Sequence, residues 1–374
     1  MLRHLDLDTT QSRLLPVHFR HQAGTPRRGV DADGGGPLAS LVAYIIAPVM
    51  TQRIEELSTD ELPPSGQEAA WRLVLAAARA ADAAERFARR SVYSLDAAGE
   101  LVRAPVSGDA ALIWEPDRGW IQPEPSEHGA LVDLYLPICS ATLARPITVG
   151  HLGQSLDGFI ATHAGDSRWV TGRANVVHMH RLRALCDAVI VGAGTVAADD
   201  PRLTTRLVEG PSPLRVVLDP GRRLPANHQV FTDSGAKTLF VCASDLVAPG
   251  ETRFGNAEVL AVPGTADGLD LTELMRALRA RGCARVFLEG GGVTISTFLQ
   301  DNLLDRLHLA IAPLLIGDGR AAIRLPAPAL LGDCHRPDYR VFRMGGDVLF
   351  DCNLRSRAQP SDGSDAGQHI TRVI

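Results

Sequence analysis

The sequence predicts an α/β protein with a mostly parallel central sheet and helices on both of its faces. Two observations carry this. From Arg145 onward, short apolar runs alternate with amphipathic stretches, as in AVIVG at 188–192, VVLDP at 216–220 and VFLEGG at 286–291. Continuous apolar strands of that kind are covered on both faces, as parallel strands in βα repeats are. Several of these runs hand over to glycine or polar turns, the positions from which an α/β fold builds ligand sites.

Composition sets the class. With 374 residues, 45% of them hydrophobic, and a net charge of -5, the chain has the make-up of a soluble globular protein with room for two domains of roughly 150 to 200 residues. It lacks the basic excess of a nucleic-acid binder. The longest apolar runs, 41–50 and 188–198, fall short of the about 20 residues that a membrane span requires. Residues 1–20 lack the charged start and apolar stretch of a secretory signal, so a cytoplasmic location is expected. The six cysteines, Cys139, Cys186, Cys242, Cys283, Cys334 and Cys352, contain no C-x-x-C pair. Zinc-ribbon, redox-dithiol and zinc-deaminase signatures are thus absent, and these residues read as reduced, mostly buried small hydrophobes.

Along the chain, residues 1–40 mix Arg, Gly, Asp and Pro without apolar periodicity and read as a flexible leader. Residues 41–144 read as a small α+β module whose role the sequence leaves open. Its helix covers 66–90, with Trp71, Leu73, Leu75 and Ala78 as candidates for the buried side. Its hairpin covers 111–122, around a Pro-Asp-Arg-Gly turn. The α/β domain spans 145–355, and residues 356–374 read as a flexible tail. Within the domain, the strand at 147–152 runs into GQSLDG. The helix at 173–186 is amphipathic through Val176, Val177, Met179, Leu182 and Leu185. Further strands fall at 214–218, 238–242 and 258–262. A helix over 270–282 is capped by Asp270 and closed by Gly282.

The turns carry the candidate chemistry. In EGGGVTIS at 289–296, three glycines between a strand and a helix offer backbone N–H groups to an anion. GAGTVAADD at 192–200 repeats the arrangement. Each alone is a weak signal, since glycine runs are as often plain turns; together they suggest the opposite ends of one dinucleotide. Arg183 and Arg206 are candidates to converge on a phosphate, the alternative being solvated surface charges. Asp199 and Asp200 precede Pro201 and serve equally well as turn residues. Trp169 reads either as core or as a platform for a ring. His178 and His180 point to different faces of one helix and make a poor metal site; no metal is expected.

These residues bring a resemblance. The segment from 145 to about 331 resembles the reductase of riboflavin biosynthesis, the carboxy-terminal half of the bifunctional pyrimidine deaminase-reductase, also found as a stand-alone reductase. SLDG at 155–158, SRWVT at 167–171, TVAADDPRLTTR at 195–206, VVLDP at 216–220 and EGGG at 289–292 occur in the family's order. The resemblance implies a dihydrofolate-reductase-like fold whose sheet ends in an antiparallel carboxy-terminal hairpin, here residues 339–343 and 347–352 about the Met-Gly-Gly turn at 344–346. It also implies a homodimer, and NADPH-dependent reduction of 5-amino-6-(5-phosphoribosylamino)uracil to its ribitylamino form. Hydride would pass to the first ribose carbon of an opened, imine-like substrate. By motif, Ser167, Arg183, Leu203, Arg206 and Glu289 fall at substrate-binding positions. Gln154, Trp169, Thr195, Asp199, Pro220 and the turn of Gly291, Gly292, Val293, Thr294, Ile295, Ser296 and Thr297 fall at NADPH-binding positions. No residue is assigned as catalytic, and Asp157 reads as fixing the SLDG turn.

Arg222 and Arg223 follow the VVLDP strand, where guanidinium groups would pair a ribose 2′-phosphate. The chain departs from the family in two respects. It has neither the H-x-E nor the P-C-x-x-C motif of the deaminase half, so deamination is not expected. His151 stands where many relatives carry Lys. Two other readings accompany the first: a reductase of the same fold acting on another pyrimidine or pteridine metabolite, and a non-catalytic NADPH-binding regulator whose amino-terminal module binds a partner.

Overall fold

The computed structural model describes residues 65–105, 109–124, 129–266 and 268–357; the expected leader, residues 41–64 of the amino-terminal module and the tail beyond 357 lie outside the described residues. Helix α1 (Ser65–Arg86) ends earlier than the sequence predicts, and Ala88 just beyond it turns the chain with φ 47. Its buried face is broader than expected. Val74, Ala76, Ala77 and Ala81 are fully buried beside Trp71 and Leu75, while Leu73 is only partly covered. The small alanines let neighbouring elements approach its backbone.

A four-stranded antiparallel sheet follows, formed by β1 (Ser91–Leu95), β2 (Leu101–Ala104), β3 (Leu112–Glu115) and β4 (Gly119–Ile121) in the order β2-β1-β3-β4. The last two strands are the predicted hairpin. Trp114 and Trp120 sit opposite one another across it, their rings edge-on at 4.9 Å. Helix α2 (Gly129–Cys139) completes this part.

The larger sheet draws on β5 (Ile147–Ser155), β7 (Ala188–Gly192), β8 (Leu214–Leu218), β9 (Thr238–Ala243), β11 (Ala257–Val262), β14 (Arg285–Glu289) and β15 (Arg306–Ala312). All seven run parallel. Antiparallel β10 (Arg253–Phe254) closes one edge, and the hairpin of β17 (Pro337–Met344) and β18 (Asp347–Arg357) closes the other. The predicted architecture is therefore present. Met344 pairs with Asp347, so the hairpin turn is the two residues Gly345 and Gly346, with φ 63 at Gly345, rather than three. Between the strands lie β6 (Phe159–Thr162), α3 (Arg173–Leu185), α4 (Ala193–Asp199), α5 (Gln229–Thr232), β12 (Gly264–Thr265), β13 (Gly268–Leu269), α6 (Leu271–Ala280), α7 (Gly292–Gln300) and β16 (Gly319–Ala321). Asp270 caps α6 by accepting from the Glu273 amide at 2.9 Å, as its position in the sequence implied.

Alternation along the strands divides the core in two. Val189, Val191, Val217 and Phe287 face one cluster, which also holds Trp71, Val74, Tyr135 and Ile138 of α1 and α2. Ala188, Ile190, Val216 and Leu288 face the other, filled by Leu274 and Leu278 of α6 and by Ile295 and Phe298 of α7. The amino-terminal helices thus cover one face of the larger sheet and share its core. Helix α3 departs from its expected pattern. Asn175, His178, His180 and Arg183 are buried, whereas Val176 and Val177 are only partly so.

Candidate active site

Strand β14 lies between β5 and β7, which sets the turn after Glu289 between the ends of the SLDG strand and the GAGT strand. At these carboxyl ends opens a cavity of about 1080 Å³. Its floor is made by the two glycine turns, which clasp each other. The Gly291 amide donates to Thr195 Oγ1 at 3.2 Å, and a Cβ on Gly192 would meet Thr294 Oγ1 at 2.5 Å. The two turns are in contact and so form one continuous floor rather than two separate ends of the cavity. Gly292 has no room for a side chain, since a Cβ would press on the carbonyl oxygens of Ala322 and Ala321, the latter at 2.7 Å. Gly194, by contrast, lines the cavity, and a Cβ there would meet nothing within 4 Å. The amino-terminal end of α7 opens onto the same space, and its dipole favours an anion there.

Of the residues the resemblance implicated, Ser167, Thr195, Asp199, Pro220, Glu289, Gly291, Gly292, Val293, Thr294, Ser296 and Thr297 line the cavity. Burial pushes the Asp199 carboxyl up, against the pull of Arg168 and Arg320. Six others lie elsewhere. Trp169 stands out from the surface, 70% exposed, at φ 64. Gln154 is half-buried on β5 without bordering the cavity. Ile295 and Leu203 are core residues, so any ligand contact they make is through backbone.

Arg183 and Arg206 require a correction as a phosphate clamp. Arg183 is buried, and its Nε and Nη2 donate to the two carboxylate oxygens of Glu289, the first at 2.7 Å, while Nη1 donates to Thr204 O at 3.1 Å. Its fork is already occupied. Arg206 is exposed, donates to Thr204 Oγ1 at 2.7 Å, and has no carboxylate partner among the described residues. Its pKa is lowered, first by partial burial and then by the like charges of Arg183 and Arg202. An anion arriving at Arg206 would relieve that crowding.

Beside Glu289, in register on the adjacent strand, stands His151. It lines the cavity and its Nε2 meets Asn175 Oδ1 at 2.8 Å; the Asn175 amide in turn donates to Thr171 Oγ1 at 2.8 Å. An amide oxygen only accepts, so His151 carries its proton on Nε2. Burial, aided by nearby His308 and opposed by the Asn175 bond, lowers its pKa to about 4. Sequence reading passed over Asn175 and placed Met179 only in the apolar stripe of its helix, yet both line the cavity. The signal was there: Asn175, Met179 and Arg183 follow each other at four-residue steps along one helix face.

His178 and His180 are both engaged by protein groups. His178 is linked to Tyr135 and His308, and His180 Nδ1 accepts from the Arg206 amide at 3.0 Å. No group of three or more potential metal ligands occurs among the described residues. Asp157 accepts from the amides of Ile316 and Gly317, the latter at 2.6 Å, and so ties the SLDG turn to a distant loop. All six cysteines are free thiols.

A doubly covered parallel sheet with a glycine-floored cleft at its carboxyl edge places the protein in the class of doubly wound α/β folds, which bind ligands at that edge. Comparison narrows this. Residues 147–335 match the RibD C-terminal domain, and the chain belongs to that family. It is 32% identical over 219 residues to the 2,5-diamino-6-ribosylamino-4(3H)-pyrimidinone 5′-phosphate reductase of Methanothermobacter thermautotrophicus, covering 56% of this chain and 99% of that protein. It is 34% identical over 215 residues to the riboflavin biosynthesis protein RibD of Bacillus amyloliquefaciens, covering 56% of each. The chain thus spans only about half the length of that RibD relative. Among solved structures, a Thermotoga maritima deaminase/5-amino-6-(5-phosphoribosylamino)uracil reductase aligns with a TM-score of 0.48 at 26% identity, over 60% of this chain and 63% of that one. No helix among the described residues is long and apolar enough to cross a membrane.

Proposed function

We propose that the chain is an NADPH-dependent reductase of riboflavin biosynthesis, converting a phosphoribosylamino-pyrimidine to its ribitylamino form. The observation that carries this is the cavity itself: paired glycine turns and a helix amino terminus form its floor, and Glu289 and His151 stand side by side at the strand ends. NADPH, when bound, supplies a hydride. The residues fit such a cofactor, because the floor offers backbone amides, and Gly194 leaves open the space that a side chain would fill.

In the opened substrate, hydride adds to the first ribose carbon, the C=N electron pair moves to nitrogen, and that nitrogen takes a proton. The task of the chain is to hold the imine carbon against the hydride donor and exclude water. Arg183 fixes both oxygens of Glu289, so that the carboxylate presents a set direction to polar hydrogens of the substrate. Arg206 lies outside the cavity lining but shares Thr204 with Arg183, and it is the guanidinium assigned to the sugar phosphate.

Two rings suit this reading. One is the uracil expected from sequence; the other is the 2,5-diamino ring in the name of the Methanothermobacter reductase, nearly all of whose length this chain spans. The enzyme is taken to act as a cytoplasmic homodimer, with residues 145–355 as the reductase unit. Loss of NADPH absorbance on adding each phosphoribosylamino-pyrimidine tests the reading: turnover of either supports it. Tight NADPH binding with neither turned over would favour the regulator instead.

A further inference from the structure

Two adjacent arginines at the Pro220 end of the cavity have different environments. Arg222 adopts φ 51, donates through Nη1 to Glu251 Oε2 at 2.7 Å and to Leu246 O at 2.8 Å, and lies over the rings of Phe254 and Phe240 at 5.5 and 5.9 Å. It is a fully engaged clamp between loops. Arg223 is exposed, lines the cavity, and has neither hydrogen bond nor ion pair among the described residues. Its stem is laid across Gly221, where a Cβ would meet Cγ, Cδ and Nε, each at 3.6 Å. A second cavity of about 700 Å³, bounded in part by Gly221, Ser244 and Asp245, shares Pro220 and Gly268 with the larger one. Arg223 therefore stands where the two spaces meet.

We infer that Arg223 is the residue that selects the phosphorylated dinucleotide, its guanidinium pairing the 2′-phosphate at the junction of the two cavities. This rests on reading the larger cavity as a nicotinamide dinucleotide site. A guanidinium with all five donors free gains paired, charge-assisted hydrogen bonds from a phosphate dianion and little from a ribose hydroxyl. Arg222 takes no part in selection.

The test is direct binding, by calorimetry, of NADPH, NADH, adenosine 2′,5′-bisphosphate and adenosine 5′-monophosphate to the full chain and to Arg223→Ala, Arg223→Lys and Arg222→Ala. Arg223→Ala should weaken NADPH and the bisphosphate by about 10- to 100-fold, the worth of a hydrogen bond to a charged group, and should leave NADH and the monophosphate within about twofold. Arg223→Lys should fall between, and Arg222→Ala should leave the NADPH-to-NADH ratio unchanged. Equal loss for both dinucleotides, no loss for either, or a ratio that collapses in Arg222→Ala would overturn the assignment alone. Failure of the unaltered protein to bind either dinucleotide would overturn the reading of the cavity and the assignment with it.

Discussion

Arg183 and Glu289, 106 positions apart in sequence, meet as a buried two-pronged ion pair between helix α3 and the end of strand β14. Their side chains are only 8% and 10% exposed, so removing one partner leaves the other charged, desolvated and unmatched. Arg183→Met should therefore cost about 3 to 5 kcal/mol in urea unfolding. The double variant Arg183→Met with Glu289→Leu should recover much of that, because an apolar pair of similar volume replaces the charges. Turnover should not return with stability if Glu289 orients the substrate. A double variant that is as active as the unaltered protein would remove Glu289 from the reaction.

The two glycines of the cavity floor should respond differently to a methyl group. At Gly292 the obstacle is backbone, the carbonyls of Ala321 and Ala322, which cannot swing aside as a side chain would. Gly292→Ala is expected to destabilise by about 1 to 3 kcal/mol, as overpacking does. At Gly194, inside α4, the added Cβ meets nothing and helix propensity improves, so Gly194→Ala should be neutral or stabilising by up to about 1 kcal/mol. It should nevertheless weaken NADPH binding, since the methyl projects into the cavity. Melting temperature and a dissociation constant for each variant decide the point; unaltered NADPH affinity in Gly194→Ala would show that the ligand does not rest there.

Much of this was legible in the chain itself. The parallel strands announced themselves because burial on both faces leaves runs such as AVIVG and VVL without polar interruption, and the glycine turns followed from where those runs end. What could not be read was pairing at a distance. Nothing local in Arg183 says that its fork is filled by Glu289, or in Arg222 that Glu251 lies opposite while Arg223 stays free. Helix α3 misled for a related reason: its polar residues face inward, because the partners that satisfy them, Tyr135, His308 and Glu289, arrive from other elements.

The buried histidines make stability depend on pH. Burial lowers the pKa of His151 to about 4 and of His180 to about 3, and also lowers those of His178 and His308. The unfolded chain titrates these rings near 6.5. Between 6.5 and about 4 the unfolded state thus binds more protons than the folded one, so stability is full above 6.5 and is lost as pH falls through that window. Each ring contributes at most about 1.4 kcal/mol per pH unit. Urea midpoints should be flat from pH 7 to 8 and should fall steadily from pH 6 to 4.5. A midpoint unchanged down to pH 5 would mean that these rings are solvated.

Tyr135, from the amino-terminal part of the chain, heads a relay that crosses into the larger sheet. Its hydroxyl lies 2.6 Å from His178 Nδ1, His178 Nε2 lies 3.0 Å from His308 Nδ1, and His308 Nε2 approaches Asp351 at 3.3 Å without the geometry of a hydrogen bond. Asp351 is also held by Arg306 and Arg340, the latter at 2.6 Å; burial raises its carboxyl, but His308 first and Arg306 second outweigh that and hold it far below the usual range. The negative Asp351 carboxylate facing His308 Nε2 favours the proton on that nitrogen; His308 Nδ1 then accepts from His178 Nε2, and the Tyr135 hydroxyl donates to His178 Nδ1. Tyr135→Phe removes that one donor, keeps the ring against Trp71, and leaves His178 Nδ1 buried and unsatisfied. The expected cost is about 1 to 3 kcal/mol, read as a lower urea midpoint at unchanged slope. A loss below about 0.5 kcal/mol would mean that the relay runs the other way or that His178 finds another donor, and would uncouple the amino-terminal helices from the histidines behind the cavity.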